Sequence, residues 1–569
     1  MKIIFVITFV CQFFLPVTIL CQSRASWPVR SQNGMVASSD AIASKVGADI
    51  LKQGGNAVDA AVAVALTLAV TWPAAGNLGG GGFMLIRKAD GTTSVIDYRE
   101  TAPAKANKNM YVDEKGMLIS NASTVGYGAI GVPGTVAGLA LALEKYGTMK
   151  WQDIIEPARK LAEEGFVPSY FILESIQRNK DLLKQFPESR RIFLKNGENY
   201  NEGEVFKQPE LAGTLLRLKS NGPREFYEGK TAELIADDMK KNNGLITLDD
   251  LKHYKPVERK PVTGTYRGFE IISVPPPSSG GTLLIQMLNV LEQFPVSAMG
   301  QNSSEKYHLL IETIRRAYAD RAVYFGDPDF VNVPVTKLMS KQYAIQIGKS
   351  ISKTIATPSS SIVAGKYFTS EPNHTTHFSV VDKMGNAVSN TYTLNDEYGS
   401  GVAVAGAGFL LNNEMDDFTA KVGVANKFGL IQGNANAITS NKRPLSSMTP
   451  TIILKDGKLF LVIGTEGGST IITQTLQVIL NILDHGMNIQ EAVNAPRIHH
   501  QWMPDMVEYE PHGLSKDVLN ALKRKGHKLK IDPDYLYPGD VEAIMIDLKT
   551  GIKLGASDPR NPNALSTGY

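Results

Sequence analysis

A threonine hydroxyl becomes a useful nucleophile only when a base sits beside it, and a chain-terminal α-amine, whose pKa is near neutral, is a base that threonine can supply to itself. The run Asn373-His374-Thr375-Thr376-His377 presents that case. Attack of the Thr375 hydroxyl on the His374 carbonyl, followed by hydrolysis of the ester, would cut the chain before Thr375 and expose its amine. The setting suits a cut: residues 350–373 mix Ser, Thr, Pro and Gly and read as an exposed, mobile segment, and a strand pattern starts at Thr375. Taken alone, Thr375-Thr376 reads as a plain strand start.

Other polar residues stand where a core would not use them. Arg99, in Tyr98-Arg99-Glu100-Thr101-Ala102-Pro103, follows a strand pattern, where its guanidinium could fork onto a carboxylate. Gly467-Gly468 follow one strand and precede an apolar helix over 469–485, so amide donors would point outward at a helix start. The glycine run 79–82 keeps neither a G-x-G-x-x-G spacing nor a following Lys-Ser/Thr, and reads as close backbone packing rather than a nucleotide loop. His499-His500 lack a third ligand at a recognised metal spacing, and His377 shares a strand face with Thr375; both read as structural.

These groups need a scaffold. Ser39-Asp40 begins a helix that stops at Gly54-Gly55, and Asn56 to Trp72, rich in Ala and Val, reads as a buried helix ended by Pro73. Three- and four-residue apolar spacing predicts helices over 151–164, 283–291 and 307–324. Val274 to Gly281 is a proline-rich approach to the second of these. Strand pairs turn at Asp90-Gly91, Met384-Gly385-Asn386, Asp456-Gly457 and Thr550-Gly551. Four hairpins and long covering helices imply an α/β protein, a four-layer αββα sandwich of two mainly antiparallel sheets.

The chain has 569 residues, enough for two packing units or one interleaved body. Its 59 basic and 56 acidic residues give a net charge of +3, too balanced to argue for a nucleic-acid or membrane-surface partner. Residues 1–22 start positive, run apolar and turn polar, which reads as a secretory signal, with an uncleaved anchor as the rival. Both cysteines, Cys11 and Cys21, lie there, so a mature chain would hold no intramolecular disulfide. Cys21 is also a lipidation candidate, though Leu20 is large for the preceding position. The expectation is an exported protein, periplasmic or secreted.

The sequence resembles the γ-glutamyltranspeptidase family of N-terminal-nucleophile hydrolases over nearly all of the chain after the signal. The motifs that carry the resemblance are Thr375-Thr376-His377-Phe378-Ser379-Val380-Val381-Asp382, Asn412-Asn413-Glu414-Met415-Asp416-Asp417-Phe418, Arg443-Pro444-Leu445-Ser446-Ser447-Met448, Gly467-Gly468-Ser469 and the stretch from Tyr98 to Pro103. It implies cleavage between His374 and Thr375 into a large subunit, 23–374, and a small one, 375–569, which remain together as a heterodimer. Thr375 then matches the nucleophile, Thr393 a threonine that assists it, and Gly467 and Gly468 the oxyanion hole. Arg99, Ser446 and Ser447 match binders of a substrate α-carboxylate, and Asn395, Glu414 and Asp417 binders of its α-ammonium.

The implied reaction is ping-pong acyl transfer from glutathione or another γ-glutamyl compound to water, an amino acid or a dipeptide, without metal or organic cofactor. Two positions depart from the family pattern. Phe428 stands where the family often has Tyr in a loop over the substrate, which removes a possible latch to Asn395. Thr465-Glu466 replace the usual Ser-Pro before the glycine pair, and Glu466 is expected to face away from the oxyanion hole. The alternatives are a related amidase, acting on a cephalosporin side chain or poly-γ-glutamate, and a secreted binding protein that keeps the fold without cleavage.

Overall fold

The four predicted turns close four hairpins in the computed structural model, which describes residues 26–362, 375–424, 426, 429–531 and 539–569. Gly81–Arg87 pairs with Thr93–Asp97, Thr376–Val381 with Ala387–Thr393, Thr451–Lys455 with Lys458–Thr465, and Val541–Ile546 with Lys553–Ser557. At the third turn Asp456 and Gly457 have φ of 49° and 73°. That left-handed pair matches the twist of a two-residue hairpin.

The hairpins join two seven-stranded antiparallel sheets. One runs, edge to edge, 565–568, 35–38, 376–381, 387–393, 81–87, 93–97 and 257–259; the other runs 29–31, 553–557, 541–546, 458–465, 451–455, 269–273 and 262–266. Both sheets combine strands from before residue 375 with strands from after it. Met35–Ser38, for example, is hydrogen-bonded to Leu565–Gly568 on one side and Thr376–Val381 on the other. A small third sheet holds the parallel pair 507–509 and 529–531.

Alternation along each strand divides the core into layers. Phe83, Leu85 and Val95 of one sheet meet Ile452, Val462 and Ile544 of the other. Their outward neighbours Met84, Ile86, Ile96 and Val380 pack under Ala41–Lys52 and Ala57–Thr71. Ile453, Leu461 and Ile463 pack under Gly280–Leu291, Ser304–Tyr324 and Ile471–Leu483. The result is the αββα sandwich.

Ala57–Thr71 is buried on every face, including Asp59. That carboxylate accepts from the N–H of Asn56, Thr148 and Met149, at 2.8–3.0 Å, and from the Thr148 hydroxyl at 2.5 Å, so its buried charge is fully met. The single helix expected over 151–164 is instead two, Trp151–Ile154 and Glu156–Glu164. Pro157 lacks the N–H that a continuous helix would need, and it sits in the first turn of the second piece, where none is required.

The described part of the segment read as exposed and mobile, up to residue 362, is largely exposed, with one buried anchor. Ser359 is fully buried, its hydroxyl accepts from Arg315 Nη1 at 2.7 Å, and its N–H donates to Asp505 at 2.9 Å. The remainder, with His374, lies outside the described residues, as do Cys11, Cys21 and Phe428. Among the described residues, no helix is long and apolar enough to cross a membrane.

Candidate active site

One cleft, enclosing about 300 Å³, is lined by Thr375, Thr393, Asn395, Arg99, Glu414, Asp417, Ser446, Ser447 and Gly468, with Arg321, Leu430, Met448, Ser469 and Ile471. Nine of the ten expected substrate-handling and catalytic residues therefore meet, although they come from six separated stretches. Gly467 adjoins Gly468 but is not in the lining, and Glu466 is not in it either.

Thr375 is buried at the start of Thr376–Val381, and Thr393 ends the paired strand. Past that end, Asn395 turns the chain with φ of 82°, its N–H donating to Thr393 Oγ1 at 2.8 Å and its side-chain amide to the Asn413 carbonyl at 3.1 Å. Asn tolerates this left-handed backbone better than most residues. The bend sets Asn395 beside the 3₁₀ turn Glu414–Asp417. Asn436 and Gln432 donate to the Asp417 carbonyl at 2.6 and 3.1 Å and fix that turn.

Arg99 is fully buried beyond the end of Thr93–Asp97, its carbonyl accepting from the Tyr254 hydroxyl at 2.9 Å. Its guanidinium forms ion pairs with both Glu414 and Asp417, and Glu100 lies 3.7 Å away. The carboxylate-binding and ammonium-binding ends of the expected clamp are thus in contact in the unliganded protein. Burial opposes the Arg99 charge, but Glu414, Asp417 and Glu100 outweigh it and hold the guanidinium ionised. Burial also raises all three carboxyls: Glu414 goes well above the usual range, Asp417 rises, and Glu100 reaches about 8, in each case against the pull of Arg99.

Ser446 and Ser447 are placed by the loop after Val274, whose part in the site has no local signature. The Ser279 N–H and hydroxyl each donate to the Ser446 carbonyl at 2.9 Å, and the Ser278 hydroxyl donates to the Met448 carbonyl at 2.6 Å. Ser446 Oγ accepts from the Met448 N–H at 3.1 Å.

Gly467 and Gly468 have φ of 119° and 52°, a left-handed pair at the end of Lys458–Thr465. A Cβ at Gly467 would fall 2.5 Å from Thr470 Oγ1, so both backbone and space require glycine. Among the described residues neither N–H meets a hydrogen-bond acceptor. Tyr318, on Ser304–Tyr324, donates to the Ser469 carbonyl and braces the turn from outside. Glu466 is buried, and desolvation, reinforced by Asp540 and Glu397, raises its carboxyl well above the usual range.

The histidines serve other contacts. His377 bonds Thr391 Oγ1 at 2.8 Å and Ser379 Oγ at 3.2 Å between the sheets. His499 bonds Thr473 Oγ1 at 2.9 Å, and His500 faces Asp505 at 3.3 Å. Arg321 entered the cleft without any signal in its local sequence, which reads only as helix.

The gamma-glutamyltranspeptidase family model matches residues 43–568. The glutathione hydrolase proenzyme of Escherichia coli is 50% identical over 555 residues, covering 97% of this chain and 95% of that protein. Among solved structures, the cephalosporin acylase of Bacillus halodurans aligns with a TM-score of 0.84 at 27% identity, covering 98% of this chain and 99% of the other. A gamma-glutamyltranspeptidase chain of Helicobacter pylori aligns with a TM-score of 0.57 at 50% identity, over 58% of this chain and 94% of its own length. With sequence and fold in agreement along the whole described core, the chain belongs to the gamma-glutamyltranspeptidase family.

Proposed function

We propose that the chain is a proenzyme that cuts itself before Thr375 and then transfers γ-glutamyl groups from glutathione and related amides to water or to amino-acid and dipeptide amines. The observation that carries this reading is the meeting, in one cleft, of a threonine with both a cation and carboxylates. A γ-glutamyl group presents a free α-carboxylate and a free α-ammonium, and only a site with both signs answers both.

In the self-cleavage, Thr375 Oγ bonds to the His374 carbonyl carbon, the C–N bond breaks, and the freed nitrogen takes up the hydroxyl proton to become the new α-amine. Water then hydrolyses the ester. In turnover, Oγ attacks the γ-carbonyl and its proton passes by way of the α-amine to the leaving amine. The N–H groups of Gly467 and Gly468 hold the oxyanion, a role worth about 3–4 kcal/mol per donor in comparable sites. Thr393 assists Thr375. The substrate ammonium takes Glu414 and Asp417 from Arg99 and meets Asn395 beside them, and the substrate carboxylate takes the released cation with Ser446 and Ser447. The arginine is thus never left without a counter-ion.

Residues 1–22 act as an export signal in this reading, with 23–374 and 375–569 as subunits held together by the mixed sheets. The names of relatives as proenzymes support the cut. The test is denaturing electrophoresis with N-terminal sequencing and a γ-glutamyl anilide assay on one sample. Two fragments, the smaller beginning at Thr375, and release of the aniline are expected; a single species near 61.9 kDa would overturn the reading.

A further inference from the structure

Arg321 projects from the buried helix Ser304–Tyr324 into the cleft and is 2% exposed. Its Nε donates to Ser279 Oγ at 3.0 Å and its Nη2 to Ser447 Oγ at 3.0 Å. Its Nη1 is buried with no hydrogen-bond partner, and among the described residues no carboxylate lies within ion-pair reach. Burial lowers its pKa to about 10, which leaves it cationic at neutral pH. Arg99, by contrast, is held by two carboxyls. Arg321 is therefore the cleft cation with no carboxylate in direct contact, Asp417 acting on it only from beyond ion-pair distance.

A serine hydroxyl has one proton. Where a guanidinium N–H occupies a lone pair of Ser447 Oγ, that proton turns elsewhere, and the hydroxyl is committed as a donor. A buried positive charge behind it, with no carboxylate in contact, favours an anion as the acceptor.

We propose that Arg321 is a positioning and specificity-determining residue for the α-carboxylate of the donor substrate: it orients the Ser447 hydroxyl as a donor and supplies positive charge that Glu414 and Asp417 cancel at Arg99. This rests on the γ-glutamyl reading above. A purely structural Arg321 would only tie the helix to the Ser279 and Ser447 segments.

The test compares two anilides that differ by one group, γ-glutamyl anilide and 4-aminobutyryl anilide, which lacks the α-carboxyl. Discrimination is the ratio of their kcat/KM values, measured on the folded, two-fragment forms of wild type, R321Q, S447A and the double variant. R321Q is expected to lower the ratio at least about tenfold, mainly through KM for the γ-glutamyl compound. The double variant should then lose less discrimination than the two single losses combined, because one residue acts through the other. A ratio in R321Q within about twofold of wild type, with both rates falling together, would overturn the proposal. Should R321Q fail to fold, R321K is read by the same ratio and the same bound, since one ammonium cannot reproduce the forked donation to Ser279 and Ser447. Absence of discrimination in the wild type would instead overturn the γ-glutamyl reading itself.

Discussion

The imidazole of His377 occupies the space that a side chain at position 464 would need: a Cβ there would fall 2.3 Å from His377 Cε1. Gly464 lies on Lys458–Thr465 of one sheet and His377 on Thr376–Val381 of the other, so the pair fixes the spacing of the sheets next to Thr375. Gly464→Ala should therefore push the sheets apart locally. A cost of about 1–3 kcal/mol is expected, read as a lowered melting temperature. An unchanged melting temperature would mean that the imidazole can move aside.

The same contact gives stability a pH dependence. Burial lowers the His377 pKa from 6.5 to about 3. Between these values the unfolded chain binds a proton that the folded one does not, so this contribution to stability is complete above pH 6.5 and is lost as the pH falls towards 3. The loss amounts to on the order of 5 kcal/mol at the low end. His377→Gln keeps hydrogen-bonding capacity towards Thr391 and Ser379 without titrating. Its melting temperature should fall less steeply between pH 7 and 4 than that of wild type, and parallel curves would contradict the assignment.

Thr375→Ala removes the hydroxyl required for both steps. The protein should fold, run as a single chain on denaturing electrophoresis, and release no aniline from γ-glutamyl anilide. Two fragments from this variant would place the nucleophile elsewhere.

Arg99→Gln should reduce kcat/KM for γ-glutamyl anilide on the order of a hundredfold, since it removes the cation and leaves Glu414 and Asp417 unpaired in a buried site. An amidase for acyl groups without a free α-carboxylate would keep its activity. Parallel assays with the two kinds of substrate separate these outcomes.

The hairpins could be read directly because each turn carries its own chemistry, as Asp456-Gly457 does, and alternation then assigns the faces. Thr375 and Gly467-Gly468 are only candidates on local sequence, since a threonine at a strand start and glycines at a helix start are as common in plain structure, and the family resemblance is what singles them out. The clamp residues Ser446, Glu414 and Asp417 could be named only through the family resemblance, since a polar loop residue looks alike whether it meets substrate or water. Two things escaped altogether. Arg321 is one charge on an ordinary helix, and its role depends on Ser279 and Ser447, 42 and 126 residues away. The contact between Arg99 and the acidic turn depends on a third dimension that spacing along the chain does not encode.

The placement of Met35–Ser38 between Leu565–Gly568 and Thr376–Val381 bears on the molecule's history. This sheet has to be complete before the proposed cut, because its strand order braids the two sides of residue 375. Folding of the uncut chain is then a unimolecular process with its own concentration-independent rate. After the cut, the same braid can be rebuilt only when two polypeptides find each other, so refolding becomes second order and competes with aggregation of exposed strand edges. The proposed nick would turn a reversible folding problem into an assembly problem, and the persistence of the cut protein would be set by its unfolding rate rather than by its capacity to refold.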